Sequence, residues 1–432
     1  MKKPHIEVIT LDKIVGGGQA LGTLADGRKA FVWGGLPGET VTVSLTKKKS
    51  KYAEGVAISI EKTSNERVEP LDPESYLSTS PWQIMSFESE EHYKAALIEE
   101  AFELHDIVLP EAIEVYTDGI DYGYRNKVEF SWWGDTNKQG EETLDLAFFR
   151  RGSKGKIAVQ GTSLARPEIN KLAIAIRDLL QQKQIPARSL KTLLIRCNQN
   201  GNCAWQLYVK DKIDPITEAE AETLPAQGGE VVYSDPRSPA SRITERLKQF
   251  GDVVLTDTIQ SVPFRYATEG FFQVNLPIYD QALTDMRQWL EGKPAVDMYS
   301  GVGTIGLTIG GDNVTLVEID ENAVREMKRN IKELGLKAEA VHAPSEKALE
   351  YITGYKTIIV DPPRAGLHAD VIERLLETKP TRVIYLSCNP VTQARDVAML
   401  AGAYGIRYHR GYNFFPRTPH IENLVVLDLI QS

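Results

Sequence analysis

Cysteine is scarce in this chain: there are three among 432 residues. An odd, sparse set excludes a disulfide framework and fits a reducing compartment. Three thiols also cannot complete a cysteine-only, four-ligand zinc or iron–sulfur site. Long apolar runs are missing too, so no segment is expected to span a membrane. The N-terminus, Met1-Lys2-Lys3-Pro4-His5, leads into Ile6-Glu7 without the apolar core of a signal peptide. A cytoplasmic protein without membrane contact is the expectation. Net positive charge is absent as well. The balance of −9 weighs against a nucleic-acid partner unless a local basic surface overrides it. What remains is ordinary globular composition, 42% hydrophobic and 25% charged, with length for two or three domains.

Residues 1–60 read as a small all-β unit. Short runs (Ile6–Ile9, Ala30–Trp33, Glu39–Val43, Gly55–Ile58) alternate with glycine-rich turns at Gly16-Gly17-Gly18 and Gly34–Gly38. Evenly spaced short strands with such turns suggest an OB-type barrel. Nine basic and five acidic residues leave this piece at +4, which favours nucleic-acid contact through lysines such as Lys47, Lys48, Lys49 and Lys51. Residues 61–86 are polar and proline-containing and read as a connector. Glu88 to Leu104 follows as an amphipathic helix with Tyr93, Leu97, Ala101 and Leu104 on one face. From Tyr122 to Phe264 strand-like runs and a helix near Glu168–Gln181 indicate an α+β domain. Its loop Arg150–Lys156 is basic and glycine-rich, as a phosphate-contacting loop is. Cys197 and Cys203 flank Asn200-Gly201. With those two residues as the turn, Cys203 faces Asn198 and the thiols do not pair across the hairpin. Beyond Val262, alternating strands and helices mark a doubly wound α/β domain.

Chemistry concentrates in that last domain. Ala295–Tyr299 is a strand running into Ser300-Gly301-Val302-Gly303-Thr304-Ile305-Gly306, a G-x-G-x-x-G turn opening a helix. The next strand ends at Glu318, a carboxylate able to accept ribose hydroxyls. A nicotinamide dinucleotide and S-adenosylmethionine both fit this spacing. Thr357–Val360 is followed by Asp361-Pro362-Pro363-Arg364-Ala365-Gly366, where two prolines fix the backbone past the sheet. Val383–Leu386 is another buried strand that breaks at Asn389-Pro390. Cys388 therefore stands at the carboxyl edge of a sheet, where ligands bind, either as a small core residue or as a nucleophile. Thr418–Leu427 starts a late strand in which His420 and Glu422 share one face. Glu422 beside Cys388 would be a base beside a nucleophile. Phe271-Phe272-Gln273-Val274-Asn275 precedes a helix, with Asn275 as N-cap and Pro277 in the first turn. That leaves Gln273 as an amide beside the cofactor strand.

Phe-x-Gln-x-Asn, the glycine turn, Asp-Pro-Pro-Arg-x-Gly, and Ser-Cys-Asn-Pro followed by His-x-Glu resemble, in this order, the motifs of the RNA 5-methyluridine methyltransferases. The Gly16–Gly18 turn, the Val41–Val43 strand and the lysines after it resemble a TRAM domain, an RNA-binding module. Tyr124-Arg125-Asn126-Lys127 is similar to the family segment that precedes a core strand. The resemblance implies an α/β chain in three parts. They are an OB-type (TRAM) barrel over 1–60, a central α+β RNA-binding domain over 61–261, and a doubly wound, Rossmann-like catalytic domain over 262–432. The 88–104 helix is expected against the last of these.

By resemblance, Gln273, Tyr299, Glu318 and Asp361 hold S-adenosylmethionine, Cys388 adds to uracil C6, and Glu422 removes the C5 proton after methyl transfer. The uridine of a structured RNA has first to leave its stack. Ribosomal RNA is favoured over transfer RNA because the TRAM-like unit resembles that of large-subunit rRNA enzymes. No obligate protein partner is expected, and the chain is taken as a monomer. Many relatives bind an iron–sulfur cluster through cysteines, where this chain reads Tyr76–Trp82 and Val159–Ser163, so no cluster is expected. Pro344 stands where relatives often carry a polar side chain for the adenine, which leaves that contact open. A nicotinamide-dependent oxidoreductase would leave Asp361–Arg364 and Cys388 without roles.

Overall fold

A computed structural model describes residues 5–290 and 292–430; Lys2 and Lys3 lie outside the described residues. The chain divides into two compact units. One holds the chain up to Glu90, Ile120–Leu255 and Pro416–Pro419; the other holds Glu91–Gly119, Thr256–Phe415 and the chain from His420 on.

The first unit begins with five strands, β1 (His5–Ile14), β2 (Ala20–Thr23), β3 (Lys29–Trp33), β4 (Thr40–Lys48) and β5 (Tyr52–Lys62). They close into a barrel in the order β1-β2-β3-β5-β4. Alternation drives the closure: Val41, Val43 and Leu45 point inward from β4 while Thr42 and Ser44 point out. β2 escapes the sequence reading because Ala-Leu-Gly-Thr is short and interrupted by Gly22. That glycine leaves room for the carbonyl of Thr10, 2.7 Å from where a Cβ would stand.

The connector expectation for 61–86 needs correction, since this stretch is a buried joint. Trp82, Ile84 and Met85 are buried, and Trp82 Nε1 donates to the Gly18 carbonyl at 2.9 Å. Gln83 donates to Ser80 Oγ at 2.7 Å and to Asp72 Oδ2 at 3.1 Å. Ser163 Oγ and Thr162 Oγ1 also donate to Asp72, at 2.8 and 3.1 Å. Of the two stretches noted for lacking cysteine, 159–163 thus bonds the Asp72 carboxylate directly, and 76–82 is linked to it through Gln83. Among the described residues no cluster of histidine, cysteine and carboxylate side chains is arranged to hold a metal ion.

The rest of the unit is a seven-stranded sheet. Its order is Glu245–Gly251, Gly228–Tyr233, Cys203–Val209, Leu190–Cys197, Lys127–Trp133, Asp145–Phe149 and Lys156–Val159. The Pro167–Gln182 helix buries Ile169, Leu172, Ile176 and Leu180 in a core shared with Phe130, Trp132, Leu193, Ile195 and Trp205. The cysteine expectation is also overturned here, because Cys197 and Cys203 are register partners. The turn is wider than two residues: Asn198 Oδ1 accepts from the backbone N–H of both Asn200 and Asn202, at 3.0 and 2.9 Å.

In the second unit an eight-stranded sheet runs Glu339–His342, Val314–Glu318, Ala295–Met298, Thr357–Val360, Arg382–Ser387, Glu422–Leu429, Tyr404–Tyr412 and Val115–Tyr116. The first five strands are parallel, and Glu422–Leu429 joins antiparallel. Strand order reverses between Ala295–Met298 and Thr357–Val360, so the crevice beyond their carboxyl ends is the ligand position of such a sheet. The Phe87–Glu103 helix contributes Ile98, Ala101 and Phe102 to this unit's core. Its buried stripe is rotated from the sequence expectation, for Leu104 is 72% exposed while Lys94 is buried. Lys94 donates to Asn413 Oδ1 at 2.5 Å and to the Phe415 carbonyl at 3.1 Å.

One close approach sets the packing of the first unit's sheet. A Cβ on Gly229 would stand 1.9 Å from the buried Trp205 ring. Gly229→Ala should therefore destabilise the protein by about 1–3 kcal/mol through overpacking. Urea unfolding followed by tryptophan fluorescence checks this, and an unshifted midpoint would show that the ring has room to move.

Candidate active site

The site is assembled at the carboxyl edge of the parallel strands. Tyr299 follows the Ala295–Met298 strand with φ +66, a left-handed conformation that costs a non-glycine residue about 1–2 kcal/mol. It turns the chain into Ser300–Gly303, and the Thr304–Ile309 helix begins with Gly303 as its N-cap. Gly301 has φ +58 and open space where a Cβ would be, while a Cβ on Gly306 would stand 2.3 Å from Leu316 Cδ2. Gly301 therefore opens the turn, and Gly306 lets the helix lie close on the sheet. Glu318 closes the turn from the next strand, accepting from the N–H of Gly301 at 2.9 Å and of Asp320 at 2.7 Å. Tyr299 OH accepts from Ser345 Oγ at 2.9 Å.

Asp297 lies beneath this turn, fully buried. Its Oδ2 accepts from the Gly306 N–H at 2.9 Å, and its Oδ1 has no hydrogen-bond partner among the described residues. Burial pushes its carboxyl up to about 8 against the pull of the Gly306 N–H, with Asp361 and Glu318 adding repulsion. Burial likewise pushes Asp361 up to about 7.

Gln273 is buried just ahead of the Leu276–Arg287 helix, whose N-cap is Asn275. The expected position of the cap is correct, but the Asn275 side chain makes no capping bond, and its Nδ2 is buried without a partner among the described residues. Tyr279 of this helix shares a 2.8 Å hydrogen bond with Thr304 Oγ1, the first residue after the glycine turn. Gln273 thus precedes a helix that is tied to the glycine turn.

Cys388 and Glu422 are brought together by strand register. Arg382–Ser387 pairs with Asn423–Asp428 residue for residue, ending at Ser387 opposite Asn423. One step further along both chains stand Cys388 and Glu422. Gln393 fixes this end of the pair, donating to the Tyr385 carbonyl at 2.9 Å and the Asn423 carbonyl at 3.0 Å. The late strand starts at Glu422 rather than Thr418, so His420 precedes it.

Arg364 is the residue that sequence reading left without a role. Its Nη2 lies 2.7 Å from His420 Nδ1, and its charge acts on the Cys388 thiol. The Pro390–Leu400 helix holds the loop that carries it. Asn389 Nδ2 and Thr392 Oγ1 donate to the Arg364 carbonyl at 2.8 and 3.1 Å, and Asp396 accepts from the Leu367 N–H at 2.8 Å. Gly366 has φ +82, and a Cβ there would stand 2.5 Å from Asp396 Oδ2. Burial pushes the Cys388 thiol up to about 11, with Glu422 and Asp361 adding to the rise; Arg364 opposes it by charge. Glu422 is held well above the usual carboxylate range by burial and by Asp361, again opposed by Arg364.

Residues 347–430 match the family model described as tRNA (Uracil-5-)-methyltransferase, and residues 281–383 match the model described as Methyltransferase small domain. A protein of Nitratidesulfovibrio vulgaris named as an RNA methyltransferase is 26% identical over 97% of this chain and 95% of its own. One of Lactobacillus johnsonii with the same name is 28% identical over 93% of this chain and 94% of its own. The chain is thus similar to RNA methyltransferases over nearly its whole length, and its C-terminal part to the uracil-C5 family model. A Pyrococcus abyssi tRNA (uracil-54, C5)-methyltransferase, solved with S-adenosyl-L-homocysteine, superposes with a TM-score of 0.79 at 21% identity. The match covers 97% of this chain and all of that one, and shows a shared fold. The 347–430 match contains Asp361, Arg364, Cys388 and Glu422. The 281–383 match adds Tyr299 and Glu318, and Gln273 lies outside both.

Asp297 carries a pH signature. Its raised carboxyl keeps a proton in the folded state that the unfolded chain releases from about pH 4 upward. Stability therefore falls as pH rises from there to about 8. Asp297→Asn keeps the acceptor for Gly306 and should remove a slope of up to about 1.4 kcal/mol per pH unit. Urea midpoints across that range test it; a variant with the parent slope would show Asp297 already ionised.

Proposed function

We propose that this chain uses S-adenosylmethionine to methylate uracil C5 in a structured RNA, with Cys388 as nucleophile and Glu422 as base. The observation that carries the reading is the register that sets Cys388 opposite Glu422, with Arg364 acting on both. Gln273, Tyr299, Glu318 and Asp361 would hold the cofactor. The residues suit it: Gly301 leaves space for close backbone approach, and Glu318 has lone pairs for ribose hydroxyls beyond the two backbone bonds that it accepts. Asn275 Nδ2 is a buried donor still to be satisfied. Ile319, exposed beside Glu318, offers an apolar surface to a purine where Pro344 offers no side-chain hydrogen bond. S-adenosylmethionine, when bound, supplies an electrophilic methyl group.

Uracil C5 is a poor nucleophile until sulfur adds at C6. Arg364 stabilises the thiolate, and the S–C6 bond forms as electron density moves towards C5 and O4. C5 would then take the methyl group as its bond to the sulfonium breaks, the sulfonium sulfur leaving as a neutral thioether. Its remaining proton passes to the Glu422 carboxylate, the S–C6 bond breaks, and the 5-methyluracil ring is restored with thiolate returned to Arg364. The order of events suits the charges. Glu422 and a Cys388 thiolate repel one another, so conversion of sulfur to a neutral thioether lowers the Glu422 pKa when a base is needed.

The first unit supplies the RNA-holding surface. We read its barrel as an OB-type TRAM module over 1–60, followed by a central domain over 61–261 and the catalytic domain over 262–432. The β1-β2-β3-β5-β4 order supports the first assignment. On the TRAM resemblance, ribosomal RNA remains the favoured substrate, in the cytoplasm. The matching family model and the Pyrococcus structure bear the names of tRNA enzymes, so unmodified transcripts of both RNAs belong in the assay.

Incubation with labelled S-adenosylmethionine and such transcripts should place a methyl group on uracil C5, located by mass spectrometry; its absence would sink the reading. Cys388→Ala should be inactive. Glu422→Gln should accumulate a covalent protein–RNA adduct, visible as a denaturation-resistant band, because release needs the base. Arg364→Gln should raise the thiol pKa by about 1–3 units. The thiolate fraction and the alkylation rate of Cys388 at neutral pH would fall about 10- to 1000-fold, and the activity profile would move to higher pH. An unchanged profile would remove Arg364 from the thiolate's activation.

A further inference from the structure

Two basic segments nearly a hundred residues apart in sequence adjoin within the first unit. One is the tip of the β4–β5 hairpin, with Lys48, Lys49 and Lys51; the other is the 150–155 loop, with Arg150 and Lys154. All five side chains are exposed. The fold presses the segments together: a Cβ on Gly152, at φ +76, would stand 2.9 Å from Val56 Cγ2 and 3.2 Å from Thr46 Cγ2. Only a loop without a side chain at that point lies so close on the hairpin. Arg151 makes the joint. Its guanidinium lies 4.1 Å from the centre of the Trp33 ring of β3, and its Nε donates to the Leu77 carbonyl. Arg151 is thus committed as a strut, while Arg150 and Lys154 on either side of it face solvent.

The nearby carboxylates are already matched. Glu54 pairs with Lys47 at 2.6 Å and Asp26 with Arg28 at 2.6 Å. The five remaining cations form a local surplus within a chain of net charge −9. Phe149, directly before Arg150, is 62% exposed, with Lys156 Nζ 5.1 Å from its ring centre. An exposed ring beside unmatched cations is the pairing that single-stranded nucleic acid uses, phosphates on the cations and a base on the ring.

We infer that the β4–β5 hairpin tip and the 150–155 loop form one composite RNA-binding surface, Lys48, Lys49, Lys51, Arg150 and Lys154 contacting backbone phosphates and Phe149 stacking an unpaired base. The inference rests on the assignment of an RNA substrate and gives that substrate a place on the protein. It also assigns distinct roles within the loop: Arg151 joins the segments and Arg150 and Lys154 contact phosphate. In a chain that repels polyanions overall, such a local surplus orients the RNA as well as binding it.

The test is the salt dependence of binding by the full chain. Its probes are unmodified transcripts of a transfer RNA and of a 23S rRNA fragment, followed by fluorescence anisotropy from about 50 to 200 mM salt. Each phosphate contact contributes about 0.7–0.9 to the slope of log K against log salt. K48Q/K49Q/K51Q should lower the slope by about 2–3 and R150Q/K154Q by about 1.4–1.8. Both variants should lose hydroxyl-radical protection over one contiguous stretch of the same transcript. Phe149→Ala should weaken binding at least about fivefold with the slope unchanged. A parental slope in either multiple variant, footprints in separate places, or loss of binding to phosphatidylglycerol vesicles in place of RNA would overturn the proposal. Methylation of the same transcripts separates the two readings. If uracil C5 is methylated while the slopes ignore both sets, the surface alone is wrong. If the slopes respond and no 5-methyluracil forms, the catalytic assignment alone is wrong.

Discussion

Taking Cys388, Asp361 and Glu422 out of water disfavours the ionised form of each, and the Arg364 guanidinium opposes that cost at the thiol and at Glu422. A buried anion without a cation is expensive enough that the group takes up a proton instead. Much of the surrounding structure serves to hold this one side chain. Asn389 and Thr392 grip the carbonyl of Arg364, Asp396 grips the loop three residues beyond, and Gly366 lets the helix come close enough for both. The Cys388 strand, its helix and the Asp-Pro-Pro-Arg loop are therefore mechanically one object. A change that loosens Gly366 or Asp396 would be felt at sulfur without touching it.

Register completes what the loop begins. The antiparallel pairing of Arg382–Ser387 with the last strand is pinned at its far end by Arg382, whose Nε lies 2.6 Å from an oxygen of its register partner Asp428. The ion pair at one end of the two strands thus holds the register that carries Cys388 and Glu422 at the other. Lys94 anchors the approach to that strand through Asn413 and Phe415. His420 is then delivered to Arg364 from the residues just before it.

Much of this was legible in the sequence because chemistry is concentrated where strands end. The glycine turn, Asp361 and Cys388 each follow a run of β-branched and aliphatic residues, and the structure places each at the carboxyl edge. Glu422 was legible as a carboxylate near a late strand. Its place beside Cys388 was expected as well; the start of the strand was not, since pairing begins four residues later than the composition suggests. Arg364 stood in a motif in plain view, but its partners come from 24 to 56 positions away and have no local signal. The facing cysteines were missed because Asn198 bonds two backbone N–H groups and widens the turn to five residues. The joint at 61–86 was missed because prolines and polar residues advertise a linker even where Trp82 and Met85 are buried.

Those facing cysteines have a practical side. Cys197 and Cys203 lie in the apolar core of a sheet with 0% and 1% of their surface exposed, whereas Cys388 is partly open to solvent. The native fold therefore sorts its three thiols into two that are sealed and one that is reachable. A fluorophore or isotope label aimed at sulfur would report from a single known position, and the protein comes already prepared for such a probe without any cysteine having to be removed.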